Sequence, residues 1–258
     1  MAKVFLALLD GMRPDALTVS GHPFFKELLE TSCYSMNMRT VMPSVTLPCH
    51  MSLFHGVSAD RHGILSNTYV PQVRPVKGLC EVLREAGKSS AFFYTWEPLR
   101  DLARPLTLTR ANYYSGRDYT YEVADVKITD DAERMFQSGE APDFIFFYQC
   151  QVDEMGHKYG WMSDEYIQAI NRSLDNVQRI VKQLPADYTL ILTADHGGHN
   201  RSHGTDTDED MTIPVFMRHS TIAPAQLAEG ASIIDLAPTI ASWLGAGPDP
   251  DWEGKILL

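Results

Sequence analysis

The chain has 258 residues, of which 44% are hydrophobic and 21% are charged, and its formal net charge is −11. This length suffices for one α/β domain with a large core and is short for two such domains. The negative charge argues against a nucleic-acid duplex as a partner, because such a surface needs basic stripes that neutralise backbone phosphates. A small phosphorylated substrate remains compatible with it, since bound metal ions can reverse the local field.

The cysteines and apolar segments bear on the cellular compartment. The four cysteines are scattered without a CxxC pair, so we interpret them as reduced, structural thiols: Cys33, Cys49, Cys80 and Cys150. The apolar run that begins at Val4 is too short for a secretory signal and predicts a buried strand. No segment approaches the roughly 18 apolar residues of a membrane span. We therefore expect a cytoplasmic protein without a membrane partner, and the sequence gives no indication of its oligomeric state.

Continuous apolar runs predict the strands of a central, mostly parallel sheet. These runs cover residues 4–9, 90–95, 144–149 and 189–193, with 213–217 as a fifth. Helical patterns lie between them at residues 78–86, 131–137 and 164–183. Strands that alternate with helices predict an α/β fold with a doubly wound sheet and helices on both faces, in one domain over residues 1–258.

The stretch at about 97–126 interrupts this alternation, because it is rich in Tyr, Arg and Pro and has no clean period. We interpret it either as an irregular excursion over one end of the sheet, such as a small lid, or as a surface connection. Its tyrosines could stack on a nucleobase or another leaving group. They are Tyr113, Tyr114, Tyr119 and Tyr121.

Metal-capable side chains follow three of the predicted strands. Asp10 follows the first strand directly, Asp153 and His157 come after the third, and Asp195 and His196 come after the fourth. Ligands of open α/β sheets bind beyond the carboxyl ends of the strands. A single Asp there is most simply a helix cap or a turn former. Three of them together, two with nearby histidines, predict a metal centre instead.

The mixture of carboxylates and imidazoles suits zinc, manganese or iron. Because two of the clusters contain histidine, we predict two divalent ions rather than one. Such a pair, roughly 3.5–4 Å apart, can stabilise the attacking and the leaving oxygen of an in-line phosphoryl displacement.

The segment 43–50 is the candidate for the nucleophile. Prolines restrain its backbone on both sides. A helix that begins here would place Thr46 near its N-terminus, where backbone N–H groups and the helix dipole favour an anion. The structural alternative is that Thr46 or Ser44 serves only as an N-cap. His50, four residues after Thr46, could brace this segment or be a core histidine with a satisfied ring.

Six motifs occur in order along the chain: Asp10-Gly11-Met12-Arg13-Pro14-Asp15, Thr46-x-Pro-x-His50, His62-Gly63-Ile64-x-x-Asn67, Asp153-x-x-Gly-His157, Asp195-His196-Gly197 and His203-Gly204. Through this set the chain resembles the nucleotide pyrophosphatase/phosphodiesterase family of the alkaline phosphatase superfamily. Each motif alone is weak or moderate evidence, whereas the ordered set is highly specific. The resemblance spans Asp10 to His203 and implies an alkaline phosphatase-like catalytic core.

The resemblance also implies roles for individual residues. One metal ion would be held by Asp10, Thr46, Asp195 and His196, and a second by Asp153, His157 and His203. Thr46 would be the nucleophile, and Asn67 would hydrogen-bond a non-bridging phosphate oxygen beside the backbone N–H of Thr46. Zinc is the usual ion in this family.

The chain departs from the family pattern in two respects. It is compact, whereas family members commonly carry substantial insertions. The final histidine of the motif set also follows Asp195-His196 closely, whereas in better-known eukaryotic relatives it lies much further along. His199 and His203 are therefore both candidates for the final ligand. The glycine after His203 matches the motif, and a turn between the clusters is available. This favours His203 as the ligand, with His199 in a supporting or substrate-binding position.

The sequence therefore predicts a metal-dependent hydrolase of phosphate esters, of phosphodiesters or nucleotide pyrophosphates, that acts through a phospho-threonine. A phosphomonoesterase of the same superfamily is the nearest alternative. A phosphomutase would need a large cap domain, for which residues 47–152 leave little room. A sulfatase is disfavoured because Cys49 is followed by His50 and Met51 instead of the Pro and Arg of the maturation motif. A non-catalytic binding module would have lost a ligand or the nucleophile, and every expected position is filled.

Overall fold

A computed structural model describes residues 3–258 of the chain. The first two residues of the predicted 1–258 domain lie outside the described range. Within residues 3–258, eight strands form one sheet. They are β1 (Lys3–Leu9), β2 (Cys33–Arg39), β3 (Ser90–Tyr94), β4 (Arg110–Tyr113), β5 (Phe144–Gln149), β6 (Tyr188–Thr193), β7 (Thr212–Arg218) and β8 (Ala225–Gln226).

The same part of the chain contains eleven α-helices. They are α1 (Pro14–Ser20), α2 (Pro23–Thr31), α3 (Thr46–His55), α4 (Ala59–His62), α5 (Leu79–Glu85), α6 (Gly116–Tyr119), α7 (Tyr121–Ser138), α8 (Gln151–Tyr159), α9 (Asp164–Val181), α10 (Asp208–Met211) and α11 (Leu236–Trp243). Two 3₁₀ helices cover Glu97–Leu102 and Ile233–Asp235. Within the described range, no helix is long and apolar enough to cross a membrane.

The strand order is β4-β3-β5-β1-β6-β7-β2-β8. The strands from β4 to β6 pair in parallel, and so do β2 and β8. β7 runs antiparallel to both β6 and β2. The predicted α/β class with a mostly parallel sheet is confirmed. The fifth predicted strand is observed as β7, which runs antiparallel to both of its neighbours.

The central strands are buried along their whole length, which explains why their sequences show no alternation. Every residue of β5 and β6 is buried. On β5, the ring of Phe146 meets Phe54 of α3 and Phe92 of β3 edge to face, with centroids 5.0 and 5.1 Å apart. Such aromatic pairs contribute about 0.5–1.5 kcal/mol beyond the area they bury. They hold α3 against the sheet.

The helices form two packing groups, as expected when each face of the sheet is covered. In one group α9 packs against α7, α8 and α1. In the other α3 packs against α4, α5 and α11. α9 begins with Ser163 as N-cap, whose side chain accepts a hydrogen bond from the backbone of Tyr166. Its buried stripe, which includes Ile170, Leu174 and Val177, stabilises α8 beside it, and α8 carries two of the predicted metal ligands.

The stretch 97–126 is more regular than its sequence suggests. It contains the first 3₁₀ helix, β4, α6 and the first turn of α7. β4 adds to the sheet edge beside β3. Its four residues alternate between half-buried and exposed, which is why this edge strand lacks a strong apolar signal. α7 begins at Tyr121, ten residues before the predicted helix, and Thr120 caps it through the backbone N–H of Val123.

Candidate active site

The sheet order brings three predicted ligand clusters to one place. β5, β1 and β6 are consecutive neighbours that run in parallel, so their carboxyl ends lie side by side. Asp10 follows β1, and Asp195 is two residues beyond the end of β6. α8 starts two residues after β5 and carries Asp153 in its first turn. The carboxylates therefore meet at the edge where open α/β sheets bind ligands.

The first cluster combines Asp10, Asp195 and His196, all buried. Nε2 of His196 lies 3.3 Å from Oδ1 of Asp10 and 3.4 Å from Oδ2 of Asp195. The hydroxyl of Thr46 lies 3.2 Å from the same nitrogen. All four residues that the resemblance implies for one metal are thus in contact.

Hydrogen bonds from outside the cluster hold these side chains. Oδ1 of Asp195 accepts hydrogen bonds from the backbone N–H of Gly11 and of His196, at 3.1 and 3.0 Å. The hydroxyl of Tyr148 donates to Oδ2 of Asp10. The second oxygen of each carboxylate, Oδ1 of Asp10 and Oδ2 of Asp195, has no hydrogen-bond partner. These two oxygens are therefore available to bind a cation within the cluster.

The second cluster combines Asp153, His157 and His203. Asp153 and His157 lie one turn apart on α8, with Nε2 of the histidine 3.5 Å from the carboxylate. Nε2 of His203 is 3.7 Å from Asp153. Nδ1 of His157 lies 3.0 Å from the carbonyl of Arg201, and Nδ1 of His203 lies 2.8 Å from that of Ser44. With Nδ1–H donating to a carbonyl, each ring directs Nε2 toward the carboxylate, as in histidines that bind metal ions.

His199 lies apart from both clusters. Its Nδ1 is 2.7 Å from Oδ1 of Asp210, and its backbone pairs with Ser202 across a turn. The buried Asp210 also accepts hydrogen bonds from the backbone and the hydroxyl of Thr205. His199 therefore supports the loop that carries His203, and of the two histidines it is His203 that lies beside Asp153.

The pKa values in the site follow from burial and from crowding of like charges. Burial, followed by the charges of Asp195 and Asp153, raises the pKa of Asp10 well above its ordinary range. Burial also raises the pKa of Asp153, and the charge of Asp195 adds to the effect. Burial lowers the pKa of His196 to about 4 and that of His203 to about 3. Both imidazoles are therefore neutral at pH 7, the form that binds metal.

Unpaired oxygens test whether these residues fit divalent ions. Oδ1 of Asp10, Oδ1 of Asp153 and Oδ2 of Asp195 are buried and lack hydrogen-bond partners. A buried carboxylate oxygen without a partner is costly, and the mutual repulsion of three carboxylates adds to that cost. Cations between them would satisfy both requirements. The donor set of carboxylates and neutral imidazoles therefore fits two divalent ions.

The start of α3 excludes the N-cap role considered for Thr46 and Ser44. The N-cap of α3 is Val45, and no side chain caps the helix. Thr46 is the first helical residue, where the backbone N–H has no intrahelical acceptor. Ser44 is fully buried, and its hydroxyl donates to the carbonyl of Thr205 at 2.7 Å. Neither hydroxyl is an N-cap, and only that of Thr46 faces the metal-ligand cluster.

Asn67 and His50 contact the same first turn. Oδ1 of Asn67 accepts a hydrogen bond from the backbone N–H of Leu47 at 2.9 Å. Nδ1 of the buried His50 lies 2.8 Å from the carbonyl of Thr46 and 3.4 Å from Oδ2 of Asp195. His50 is therefore both a core histidine and a contact between the helix start and the cluster.

An open cleft of about 230 Å³ lies over the two clusters. Its lining includes Asp10, Thr46, Asn67, Asp153, His157 and His203, together with Trp96, Tyr121, Cys150 and Glu154. A second cavity of about 230 Å³ shares Trp96 and Tyr121 with the cleft and adds Tyr113 and Arg117. Of the four tyrosines predicted to stack on a leaving group, two therefore line these cavities. Tyr114 and Tyr119 lie against Lys127 instead.

Sequence reasoning missed Trp96 and the position of Cys150. Trp96 follows the carboxyl end of β3, so the rule that picked out the aspartates would also have identified it. The thiol of Cys150 lies 3.8 Å from Oδ2 of Asp10. Its ligand atom also belongs to a third possible metal group with Asp10 and Asp153. Cys150 is thus part of the cleft wall, not only a core thiol.

The fold and this cluster define an alkaline phosphatase-like α/β protein with groups that could hold metal ions at the carboxyl edge of its sheet. Residues 4–212 match the family described as type I phosphodiesterase / nucleotide pyrophosphatase, and the chain belongs to this family. The resemblance inferred from the six motifs is thereby confirmed.

Among known proteins, human ectonucleotide pyrophosphatase/phosphodiesterase family member 1 is 27% identical over an alignment of 221 residues, and the match covers 73% of this chain and 23% of the human protein. The chain spans about a quarter of the length of this relative and of its rat and mouse counterparts. The structure of murine ectonucleotide pyrophosphatase/phosphodiesterase 5 superposes with a TM-score of 0.80 at 15% identity, over 96% of each chain. An inactive variant of that murine protein, in complex with AMP, gives 0.78 at 16% identity, over 97% of this chain and 96% of the variant. These likenesses show a shared fold.

Proposed function

We propose that this chain hydrolyses phosphodiesters or nucleotide pyrophosphates, with two divalent metal ions, most simply Zn²⁺, and Thr46 as nucleophile. The observation that carries the proposal is the position of the Thr46 hydroxyl, 3.2 Å from His196 and at the first turn of α3. Family membership supports the reaction class. One catalytic domain over residues 1–258 and a cytoplasmic location stay predictions.

Each of the two clusters would supply the ligands of one metal ion. Asp10, Thr46, Asp195 and His196 would hold one ion, and Asp153, His157 and His203 the other. When bound, the ions would supply Lewis-acid stabilisation of the charges on the attacking and leaving oxygens. The remaining chemistry belongs to the side chains and backbone of this chain.

Thr46 Oγ1 loses its proton and forms the new bond to phosphorus as the bond to the leaving oxygen breaks, and the leaving oxygen takes up a proton. The result is a phospho-threonine whose phosphate still carries the other organic group of the substrate. Water then attacks phosphorus and the bond to Oγ1 breaks, so that the Thr46 hydroxyl is regenerated with a proton from that water and a phosphomonoester is released. The backbone N–H of Thr46, at the first position of α3, is placed to donate to a non-bridging phosphate oxygen. Because Oδ1 of Asn67 already accepts from Leu47, the NH₂ group of Asn67 is the donor left for the same phosphate.

The second cavity, which adjoins the cleft, suits the organic part of the substrate. Trp96 and Tyr121 border both the cleft and this second cavity, and Tyr113 adds a third aromatic ring. Aromatic faces stack on nucleobases without regard to sequence. The AMP bound by the murine relative supports a nucleotide as the substrate.

The lining of the cleft favours diesters over monoesters. A phosphomonoester carries an additional charged terminal oxygen, which needs a cationic or donating group. Among the described residues that line the cleft, none is Lys or Arg, and Glu154 adds negative charge. A diester, whose corresponding oxygen carries an organic group, avoids this repulsion.

The test is a panel of substrates assayed with zinc-loaded protein: an aryl phosphodiester, an aryl phosphomonoester, a nucleotide pyrophosphate and an aryl sulfate. Preparations of Thr46→Ala serve as the control for contaminating hydrolases. We expect the highest kcat/KM on the diester or the pyrophosphate. A higher kcat/KM on the monoester would assign the protein to the phosphatases, and turnover of none of the four would support a binding module.

A further inference from the structure

Asp125 on α7 is a buried carboxylate that connects three elements near the cleft. Asp125 is only 1% exposed to solvent. The carboxylate accepts hydrogen bonds from the hydroxyl of Thr95 at 3.0 Å and from the backbone N–H groups of Cys150 and Gln151, at 3.3 and 3.1 Å. Thr95 follows β3, whereas Cys150 and Gln151 form the start of α8. Asp125 thus joins α7, the end of β3 and the N-terminus of α8.

The start of α8 needs this acceptor. Its N-cap residue is Cys150, whose side chain makes no capping hydrogen bond. The first N–H groups of a helix have no partner within the helix. Asp125 supplies the acceptor from a neighbouring helix through its hydrogen bonds to Cys150 and Gln151. Burial raises its pKa to about 7, so these hydrogen bonds, and not a full negative charge, hold the helix start.

The orientation of Asp153 depends on the same helix start. Asp153 is two residues beyond Gln151, and its Oδ1 has no hydrogen-bond partner. Its other oxygen lies 3.5 Å from the neighbouring ligand His157. The direction of the carboxylate is therefore set by the backbone of the first turn of α8, which Asp125 anchors.

We propose that Asp125 is a positioning residue for the second metal-ligand cluster. It fixes the first turn of α8, so that Asp153 and His157 meet His203 in the geometry a divalent ion requires. The inference rests on the proposed function only in assuming that this cluster binds a metal ion. Through Thr95 the same carboxylate also fixes the chain next to Trp96, which borders both cavities.

Asp131 offers a matched control on the same helix. It is 7% exposed and accepts hydrogen bonds from Nδ2 of Asn112, at 2.6 Å, and from the hydroxyl of Tyr114, at 3.1 Å. It also pairs with Arg134. None of these partners belongs to α8. A substitution of Asp131 therefore removes a similar polar network without loosening the helix that carries the ligands.

The experiment compares wild type, Asp125→Asn and Asp131→Asn by titrating the metal-free proteins with Co²⁺. Calorimetry gives the affinity of each site, visible absorption reports the coordination geometry, and urea unfolding of the metal-free proteins measures stability. We expect Asp125→Asn to weaken one of two sites by about tenfold, as loss of an outer partner does elsewhere, and to change the spectrum of that site. Asp131→Asn should lose stability while keeping both affinities and both spectra.

Thr95→Val keeps the test decisive if Asp125→Asn does not fold. It removes one anchor of the carboxylate and should weaken the same site in the same direction, by a smaller factor. Wild-type affinities and spectra in folded Asp125→Asn, or in Thr95→Val where that variant alone folds, would overturn the inference. So would an equal loss of affinity in Asp131→Asn. Because the readout is Co²⁺ binding, a wild type that binds two ions but hydrolyses none of the substrates would refute the proposed function alone.

Discussion

The hydroxyl oxygen of Thr46 lies 3.2 Å from Nε2 of His196, although 150 residues separate the two along the chain. Thr46 begins the helix that follows β2, and His196 lies just beyond β6. In the sheet, only β7 lies between these two strands. The contact is therefore a product of strand order, which brings the start of α3 to the carboxyl end of β6.

Substitution of Thr46 should separate nucleophilic attack from metal binding. Thr46→Ala removes the attacking oxygen but leaves three ligands in its cluster, so turnover should be abolished while two ions remain bound. Thr46→Ser should keep measurable kcat, because it retains a hydroxyl at the same position. Steady-state kinetics together with elemental analysis of each variant checks both expectations.

Ser44→Ala is the matched control for that pair of variants. Its hydroxyl hydrogen-bonds the carbonyl of Thr205, so its loss should cost about 1 kcal/mol of stability. The carbonyl of Ser44, which contacts His203, is unchanged by the substitution. Activity should therefore be largely retained. An inactive Ser44→Ala beside an active Thr46→Ala would reverse the assignment.

Metal content should follow the two clusters separately. Fully loaded wild-type protein should contain two transition-metal ions per chain, and Asp153→Asn should retain about one after dialysis, because Asp10 and Asp195 still hold the other. Glu154→Gln is the control, since Glu154 lines the cleft but belongs to neither metal-ligand group. Elemental analysis that finds only adventitious metal in reconstituted wild type would contradict the two-metal proposal.

Asn67→Asp should distinguish a donor to the substrate from a structural residue. Aspartate keeps an oxygen to accept the N–H of Leu47 but replaces the NH₂ donor with a negatively charged oxygen. If that donor binds the phosphate, kcat/KM should fall by about 10²–10³ or more, as with loss of an oxyanion donor, while urea unfolding changes little. Wild-type kcat/KM in this variant would exclude contact with the substrate.

Stability at acid pH should depend on His55, which lies outside the candidate site. Burial lowers its pKa from 6.5 to about 3, so between these values the unfolded chain binds a proton that the folded chain does not. Its contribution to the unfolding free energy is therefore present above pH 6.5 and is lost as the pH falls toward 3. Between pH 7 and 5 the wild type should lose about 2 kcal/mol more than His55→Gln does. Urea unfolding at the two pH values measures this, and equal losses would show that His55 does not carry the effect.

The parts of the site that the sequence predicts are those encoded locally. Asp10 directly follows a fully apolar run, and Asp195 lies just past another, so each is visible as a polar residue at a strand end. The choice between His199 and His203 depends instead on the path of the loop after β6. That path is set by contacts such as the one between His199 and Asp210, which the linear sequence does not display.

The difference between locally encoded and long-range features also explains why the sequence predicts some strands and not β2 or β8. Fully buried strands such as β5 have continuous apolar sequences and are identified at their observed bounds. β2 mixes buried, half-buried and exposed positions, and β8 has two exposed residues. These strands near the sheet edge form through pairing with their neighbours, for which no local periodicity exists.

The most direct test of the account is to trap the covalent intermediate during turnover of a phosphodiester. Acid quenching in the steady state, followed by peptide mass spectrometry, should find the substrate's phosphate, still esterified to its remaining organic group, on Thr46 in wild type and no such adduct in Thr46→Ala. The adduct should also appear on the serine of Thr46→Ser. The same adduct on Ser44 or another residue, with Thr46→Ala still turning over substrate, would contradict the assignment of Thr46 as the nucleophile.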